Sequence, residues 1–337
     1  MKLISFTVPC YNSAAYMKKC VNSLLRVGDE AEIIIVNDGS TDETAAIAED
    51  YAARYPDIVR VCHQENGGHG AGIMSGIRMA TGRWFKVVDS DDWLDPKALD
   101  ALIARLHDLS EAPDMVVTNY VYWRQGEGAV HTVRYNGVFR DGRVIGWEDT
   151  RRFGLTQYLT IHSCIFRTRI LRDANIELPR HIFYEDNLYV SWAVTKVQRI
   201  LYLDIDLYMY YVGRAGQSVA GENLMRRAGH QVEVAARIFE VTDIGRELQT
   251  CPKRGEYLYH AASFFFCIAC VFSRMRQTPE ADAEIRGMWK RVMAKDPVLG
   301  QRIRRRSIAM FTDLPGRTGQ KLCVFWYKCA HKVINFN

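Results

Sequence analysis

Between residues 3 and 118, five short apolar runs alternate with four longer segments of helical period, and that alternation leaves little choice of fold. The runs at 3–8, 32–37, 58–62, 84–88 and 115–118 read as strands, and the segments at 13–26, 42–54, 69–81 and 95–107 read as helices. A parallel pair of strands needs a long crossover, usually a helix. The pattern therefore predicts a doubly wound, mostly parallel twisted α/β sheet with helices on both faces. Helix starts are marked by Ser40 and Thr41 before Asp42 and Glu43, and by Asp95 and Pro96 before Lys97.

Beyond the array the pattern changes. Residues 121–153 carry five glycines and a weak alternation through Val130, Val133, Tyr135 and Val138, which reads as hairpins laid on the sheet. A helix at 187–195 and strands at 199–203 and 207–211 complete the same domain, expected over residues 1–215. From 216 to 337 the pattern is helical, with segments at 222–247, 255–276, 279–295, 298–310 and 318–333.

The net charge of +5 is unevenly placed: residues 1–120 carry −7 and the remainder +12. Residues 301–337 hold eight Lys and Arg against Asp313 alone, interleaved with Phe311, Phe325, Trp326 and Tyr327. Two readings stay open for this tail: an interfacial helix on an anionic membrane surface, or a helical cap whose aromatic face packs inward. No nucleic-acid motif accompanies the charge, so nucleic acid is not an expected partner. Nine cysteines at irregular spacing form no disulfide framework, and no signal-peptide pattern opens the chain, so a cytoplasmic location is expected. The most apolar stretch, 257–272, is interrupted by His260 and Ser263 and falls short of the roughly 18 residues of a membrane span. It reads as a buried or interfacial helix. Cys267 and Cys270 lack a second ligand pair for zinc and read as core.

Ligands of open α/β sheets bind beyond the carboxyl ends of the strands. Four of the expected strands end in unusual sequence: Pro9-Cys10-Tyr11-Asn12, Asp38-Gly39-Ser40, Asn66-Gly67-Gly68-His69-Gly70 and Asp89-Ser90-Asp91-Asp92. Singly, Asx and Gly residues end strands and cap helices for structural reasons. Together on one edge they describe a nucleotide pocket, with Tyr11 against a base face, Asp38 accepting from a base N–H, and a glycine loop that lets backbone approach the ligand at a helix start. The G-x-G-x-x-G and G-x-x-x-x-G-K-[ST] fingerprints are absent, which disfavours a dehydrogenase and a P-loop enzyme. Three carboxylates within residues 89–92 repel one another unless a hard divalent cation sits among them; the plainer alternative is a helix cap. Glu185-Asp186, flanked by Tyr184 and Tyr189, supplies either a general base of raised pKa or a cap for the helix at 187–195.

These five motifs, in this order and spacing through about residue 215, resemble family 2 of the nucleotide-sugar-dependent glycosyltransferases, whose fold is named GT-A. The resemblance implies inverting transfer of one sugar from a nucleoside diphosphate donor, most often a UDP-sugar, to a saccharide or lipid-linked acceptor. It implies a nucleotide side over residues 1–120 and an acceptor side over 121–215. Carried over by position, Pro9, Tyr11, Asn12, Asp38, Asn66, Gly67 and Gly68 line the donor site, Asp89 contacts the ribose or the metal shell, and Asp91 ligates Mn2+ or Mg2+. Asp186 is the implied general base, with Glu185 as second choice. Arg214 resembles the family's late arginine, where a cation meets the diphosphate. Ile73 and Met74 stand where the family commonly has Arg and Asn, and His69 is a candidate donor contact in compensation. The Gln-x-x-Arg-Trp segment of processive relatives is missing, which points to single-sugar addition. Two alternatives remain: a sugar-phosphate nucleotidyltransferase, and a non-catalytic membrane-associated scaffold that keeps the fold.

Overall fold

The computed structural model describes residues 2–213, 221–312, 314, 316 and 318–325, which form two compact units divided at residues 215 and 216. In the first unit the early elements follow in the expected order: β1 (Ile4–Cys10), α1 (Met17–Leu25), β2 (Ala31–Asp38), α2 (Thr44–Arg54), β3 (Val59–Gln64), α3 (His69–Met79), β4 (Trp84–Val87), β5 (Trp93–Leu94) and α4 (Pro96–His107). Then come β6 (Met115–Arg124), β7 (Gly128–Val133), β8 (Val144–Gly146), β9 (Cys164–Arg167), α5 (Thr168–Asp173), α6 (Glu185–Val194) and β10 (Arg199–Val212). The main path of the sheet runs β3-β2-β1-β4-β9-β6-β10-β5. β1 and β2 are buried along their whole length, as central strands covered on both faces must be.

The sheet is mixed, where a mostly parallel one was expected. Strands β3, β2, β1 and β4 are parallel, as are β6 and β10, but β9 enters antiparallel between β4 and β6, and β5, β7 and β8 also pair antiparallel. The segments expected as strands at 199–203 and 207–211 form one strand, β10, whose register against β6 shifts around Asp206. Asn119 donates to Asp204 and Asp206 at 2.7 and 2.9 Å, and Arg134 pairs with both, so the polar interruption is a satisfied bulge.

The Asp95 signal works as read: its carboxylate accepts from the Lys97 and Ala98 amides ahead of α4. The Ser40-Thr41 signal does not. α2 starts later, with Asp42 accepting from the Thr44 amide, while Ser40 and Thr41 bond to Asn12 at the end of β1. α3 lies so close to β1 that a Cβ at Gly76 would overlap Thr7.

The second unit contains α7 (Gly221–Arg226), α8 (Ala228–Thr242), α9 (Ile244–Thr250), α10 (Pro252–Met275), α11 (Pro279–Lys295) and α12 (Pro297–Arg306). The single helix expected at 222–247 is broken, with Asp243 in the left-handed region at φ 40° between α8 and α9. α10 is long and apolar enough to span a bilayer, with mean hydropathy 1.4 over its best window, of which 72% is buried. Phe266 of α10 stacks on Trp289 of α11 and meets Phe239 of α8 edge-on, which makes α10 the core helix of this unit. Asp313, Arg317 and residues 326–337, the aromatic end of the basic tail included, lie outside the described residues.

Candidate active site

The loops at the carboxyl ends of β1, β2 and β3, and the turn after β4, meet on one edge of the sheet. Asp38, 3% exposed at the end of β2, is already engaged: its Oδ1 accepts from the Gly67 amide at 2.9 Å and from Gln64 Nε2 at 2.7 Å, and its Oδ2 from the Gly68 amide at 2.8 Å. Asn66 Nδ2 donates to the Asp38 carbonyl at 2.9 Å. The carboxylate thus shapes the glycine loop, where the sequence suggested a base contact as its main work. Gly68 sits at φ 84°, and a Cβ there would come within 3.1 Å of the His181 amide, so both dihedral and space require glycine. Asn12, at φ 50°, accepts from the Thr41 amide at 2.8 Å and takes Ser40 Oγ on its own N–H. Tyr11 beside it is 56% exposed, an open ring face at the strand end, while Pro9 lies within β1 against Gly72.

Beyond β4 the three aspartates separate. Asp92 is buried, accepting from Tyr208 Oη at 2.7 Å and the Tyr211 amide at 2.8 Å; burial first, then Asp91 and Asp89, hold its pKa well above the ordinary carboxylate value. Asp89 faces His69 Nε2 at 2.9 Å and His162 Nε2 at 3.6 Å. Burial opposes its ionisation, but the His69 charge and the two histidine contacts outweigh burial and hold the pKa far below the usual range. Asp91 lines a cleft of about 260 Å3 with Lys19, Trp93, Trp123, Gln125 and Tyr211. The Lys19 ammonium lies over the Trp93 ring at 2.9 Å.

Asp89, Asp92 and His162 each place one ligand atom within 4.8 Å of the others. His162 is stacked on Tyr210 with centroids 4.6 Å apart, and its buried Nδ1 has no hydrogen-bond partner. Two carboxylates and an imidazole are a donor set that fits a divalent cation. This differs from the expected Asp89 and Asp91 pair. His162 could not have been found in sequence, since Ile161-His162-Ser163 carries no motif. Below it, the fully buried Lys86 donates to the His162 carbonyl at 2.7 Å, and burial lowers its pKa to about 7.

Glu185 and Asp186 occupy the first turn of α6, whose N-cap is Tyr184. Asp186 therefore lies in the first turn and is not the N-cap residue. Burial first, then the neighbouring Glu185, raises its pKa to about 6. Glu185 is 2% exposed, with Oε1 2.7 Å from His69 Nδ1. Burial opposes a charge on His69, but its carboxylate neighbours, Asp89 foremost, outweigh burial and keep its pKa well above the ordinary histidine value. Both ring nitrogens are thus taken by carboxylates, and His69 is not placed as the donor contact that the sequence suggested. Arg214 lies outside the described residues.

A mixed α/β sheet that gathers a glycine loop, an aspartate cluster and a helix-borne acidic pair along one edge has the architecture of GT-A glycosyltransferases. The chain belongs to glycosyl transferase family 2, whose model matches residues 5–174. It is 31% identical over 215 residues to the uncharacterized glycosyltransferase EpsJ of Bacillus subtilis, a match covering 62% of this chain and 60% of that protein. It is 29% identical over 213 residues to the uncharacterized glycosyltransferase YibD of Escherichia coli, covering 62% and 61%. The match thus spans about three fifths of these curated relatives. Among solved structures it is similar to S. aureus TarS in complex with UDP-GlcNAc, at TM-score 0.54 and 20% identity over 91% of this chain and 93% of that one. It is also similar to the mannosyltransferase PcManGT of Pyrobaculum calidifontis in complex with GDP-Man and Mn2+, at TM-score 0.51 and 14% identity over 96% and 87%.

Proposed function

We propose that this glycosyltransferase moves a single sugar, with inversion, from a nucleoside diphosphate donor to a hydroxyl of a saccharide or lipid-linked acceptor, with residues 1–215 as the catalytic domain. The observation that carries this reading is Asp186: a carboxyl whose pKa is lifted to about 6, in the first turn of α6 beside Glu185, which meets His69 and through it Asp89. A general base works best when its pKa lies near the operating pH, and in-line displacement with inversion needs such a base on the acceptor side.

The residues divide the work between the two sides. Tyr11 offers its exposed ring to the base, and the lack of side chains at Gly67 and Gly68 lets the donor approach the loop that Asp38 holds. Asp186 takes the proton of the acceptor hydroxyl as its oxygen attacks. Asp89, with Asp91 or with Asp92 and His162, would hold the cation, and Mn2+ or Mg2+ bound there neutralises charge on the departing diphosphate. UDP-GlcNAc and GDP-Man in the similar structures support a sugar nucleotide, and UDP-sugars are the first donors to test. The acceptor side is assigned to residues 121–215, where Trp123 and Tyr211 line the cleft beside Asp91. All cysteines among the described residues are free thiols, which suits a reducing, cytoplasmic location.

The test is ligand-dependent melting followed by transfer. UDP with Mn2+ at about 100 times its Kd should raise native stability by roughly 2.7 kcal/mol. Asp91→Ala and Asp89→Asn should remove the Mn2+-dependent part. Absence of any shift with UDP, GDP or CMP, and absence of sugar release from any sugar nucleotide, would reject the proposal in favour of a non-catalytic scaffold.

A further inference from the structure

His69 joins parts of the chain that sequence separates by 20 and by 116 residues, and the reading above gives it no task. It opens α3 directly after Gly68, with Nε2 2.9 Å from Asp89 Oδ1 and Nδ1 2.7 Å from Glu185 Oε1. Each ring nitrogen thus has a carboxylate oxygen as its partner, which leaves neither for a phosphate.

The partner it holds sits at a strained place. Tyr184, the residue before Glu185, has φ 68° and gives α6 no side-chain cap. A bulky residue in the left-handed region persists only where its surroundings fix it. Here the fixing is continuous with the glycine loop: the His181 amide donates to the Gly67 carbonyl at 2.8 Å, and the Glu185 side chain lies against Gly70, where a Cβ would come within 2.9 Å. Of two adjacent carboxylates in one helical turn, Glu185 is buried and tied to His69, while Asp186 remains partly accessible.

We propose that His69 is a positioning residue that clamps Glu185 to Asp89, and so fixes the first turn of α6 in the orientation that presents Asp186, and not Glu185, to the acceptor. This rests on the reading of Asp186 as base. It also assigns Glu185 a role in holding the turn rather than in proton transfer.

The test uses the full chain with His69→Gln, Glu185→Gln and the double variant, assayed with a UDP-sugar that the wild type turns over. The expected result is a fall in kcat of about 100-fold in each single variant, with donor KM and the UDP Kd in Mn2+ held within about threefold. The double variant should be no worse than the poorer single, because both substitutions open one clamp. Independent losses that multiply, or a UDP Kd weakened about tenfold with kcat retained, would overturn the clamp and make His69 a donor contact. If His69→Gln does not fold, Glu185→Gln alone carries the same split between kcat and Kd. A readout free of turnover separates this idea from the wider one. In thermal melts the double variant should lose no more stability than the poorer single, because both substitutions open the same contact. Stability losses that add overturn the clamp, whatever the activity. Coupled losses in a protein that transfers no sugar leave the clamp standing and reject the reading of Asp186.

Discussion

Asp186→Asn should do two opposite things, and the size of each follows from the site. The wild-type carboxyl has its pKa raised from 3.8 to about 6 in the fold, a shift of about 2 units, worth on the order of 3 kcal/mol between its two protonation states. An acid whose folded pKa lies above its unfolded value contributes stability that is present below the unfolded pKa, near 3.8, and lost as pH rises through about 6. At pH 8 the ionised group is thus a burden that Asn does not carry. The variant should melt higher by about 6–12 °C at pH 8, taking roughly 2–4 °C per kcal/mol for a domain of this size, and the gain should vanish near pH 4. Over the same pH range the variant lacks the proposed base, and transfer should fall by about 100- to 10,000-fold. Wild-type kcat/KM should drop about tenfold for each pH unit below about 6. Calorimetry at pH 4, 6 and 8 beside a pH-rate profile measures all of this. A gain over wild type no larger at pH 8 than at pH 4, or an acid limb near pH 4, would refute the burial argument.

Two substitutions away from the chemistry test the packing. Asp95→Ala removes the side chain that caps α4 and should cost about 1 kcal/mol, read as a fall of a few degrees in Tm, with transfer unchanged. Gly76→Ala places a methyl where Thr7 of β1 already sits and should cost about 1–3 kcal/mol despite the better helix propensity of Ala; a neutral or stabilising result would mean that α3 can move off the sheet.

What the sequence made legible was local. Ile33 to Val36, Asp95 before Pro96, and the Gly, Asn and Asp clusters each announce a strand, a cap or a strand end within a few residues. What stayed hidden depends on contacts far along the chain. The four residues of β9 are too short for any period to mark them, and their antiparallel insertion between β4 and β6 is decided by pairing with both. Tyr208 and Tyr210 read as ordinary strand residues until Asp92 and His162 are brought against them. The His69 bonds to Asp89 and Glu185 required α3, the turn after β4 and α6 to converge, and the bonds of Asp38 to its own loop amides were likewise out of sight.

The hold of Asp38 on Gly67 and Gly68 has a kinetic consequence. A loop already fastened by two amide hydrogen bonds to one carboxylate does not have to be ordered by the incoming nucleotide, so little of the binding free energy is diverted to arranging it. Encounter with a preorganised edge of this kind is governed by diffusion and charge, and competing sugar nucleotides should differ mainly in how long they stay.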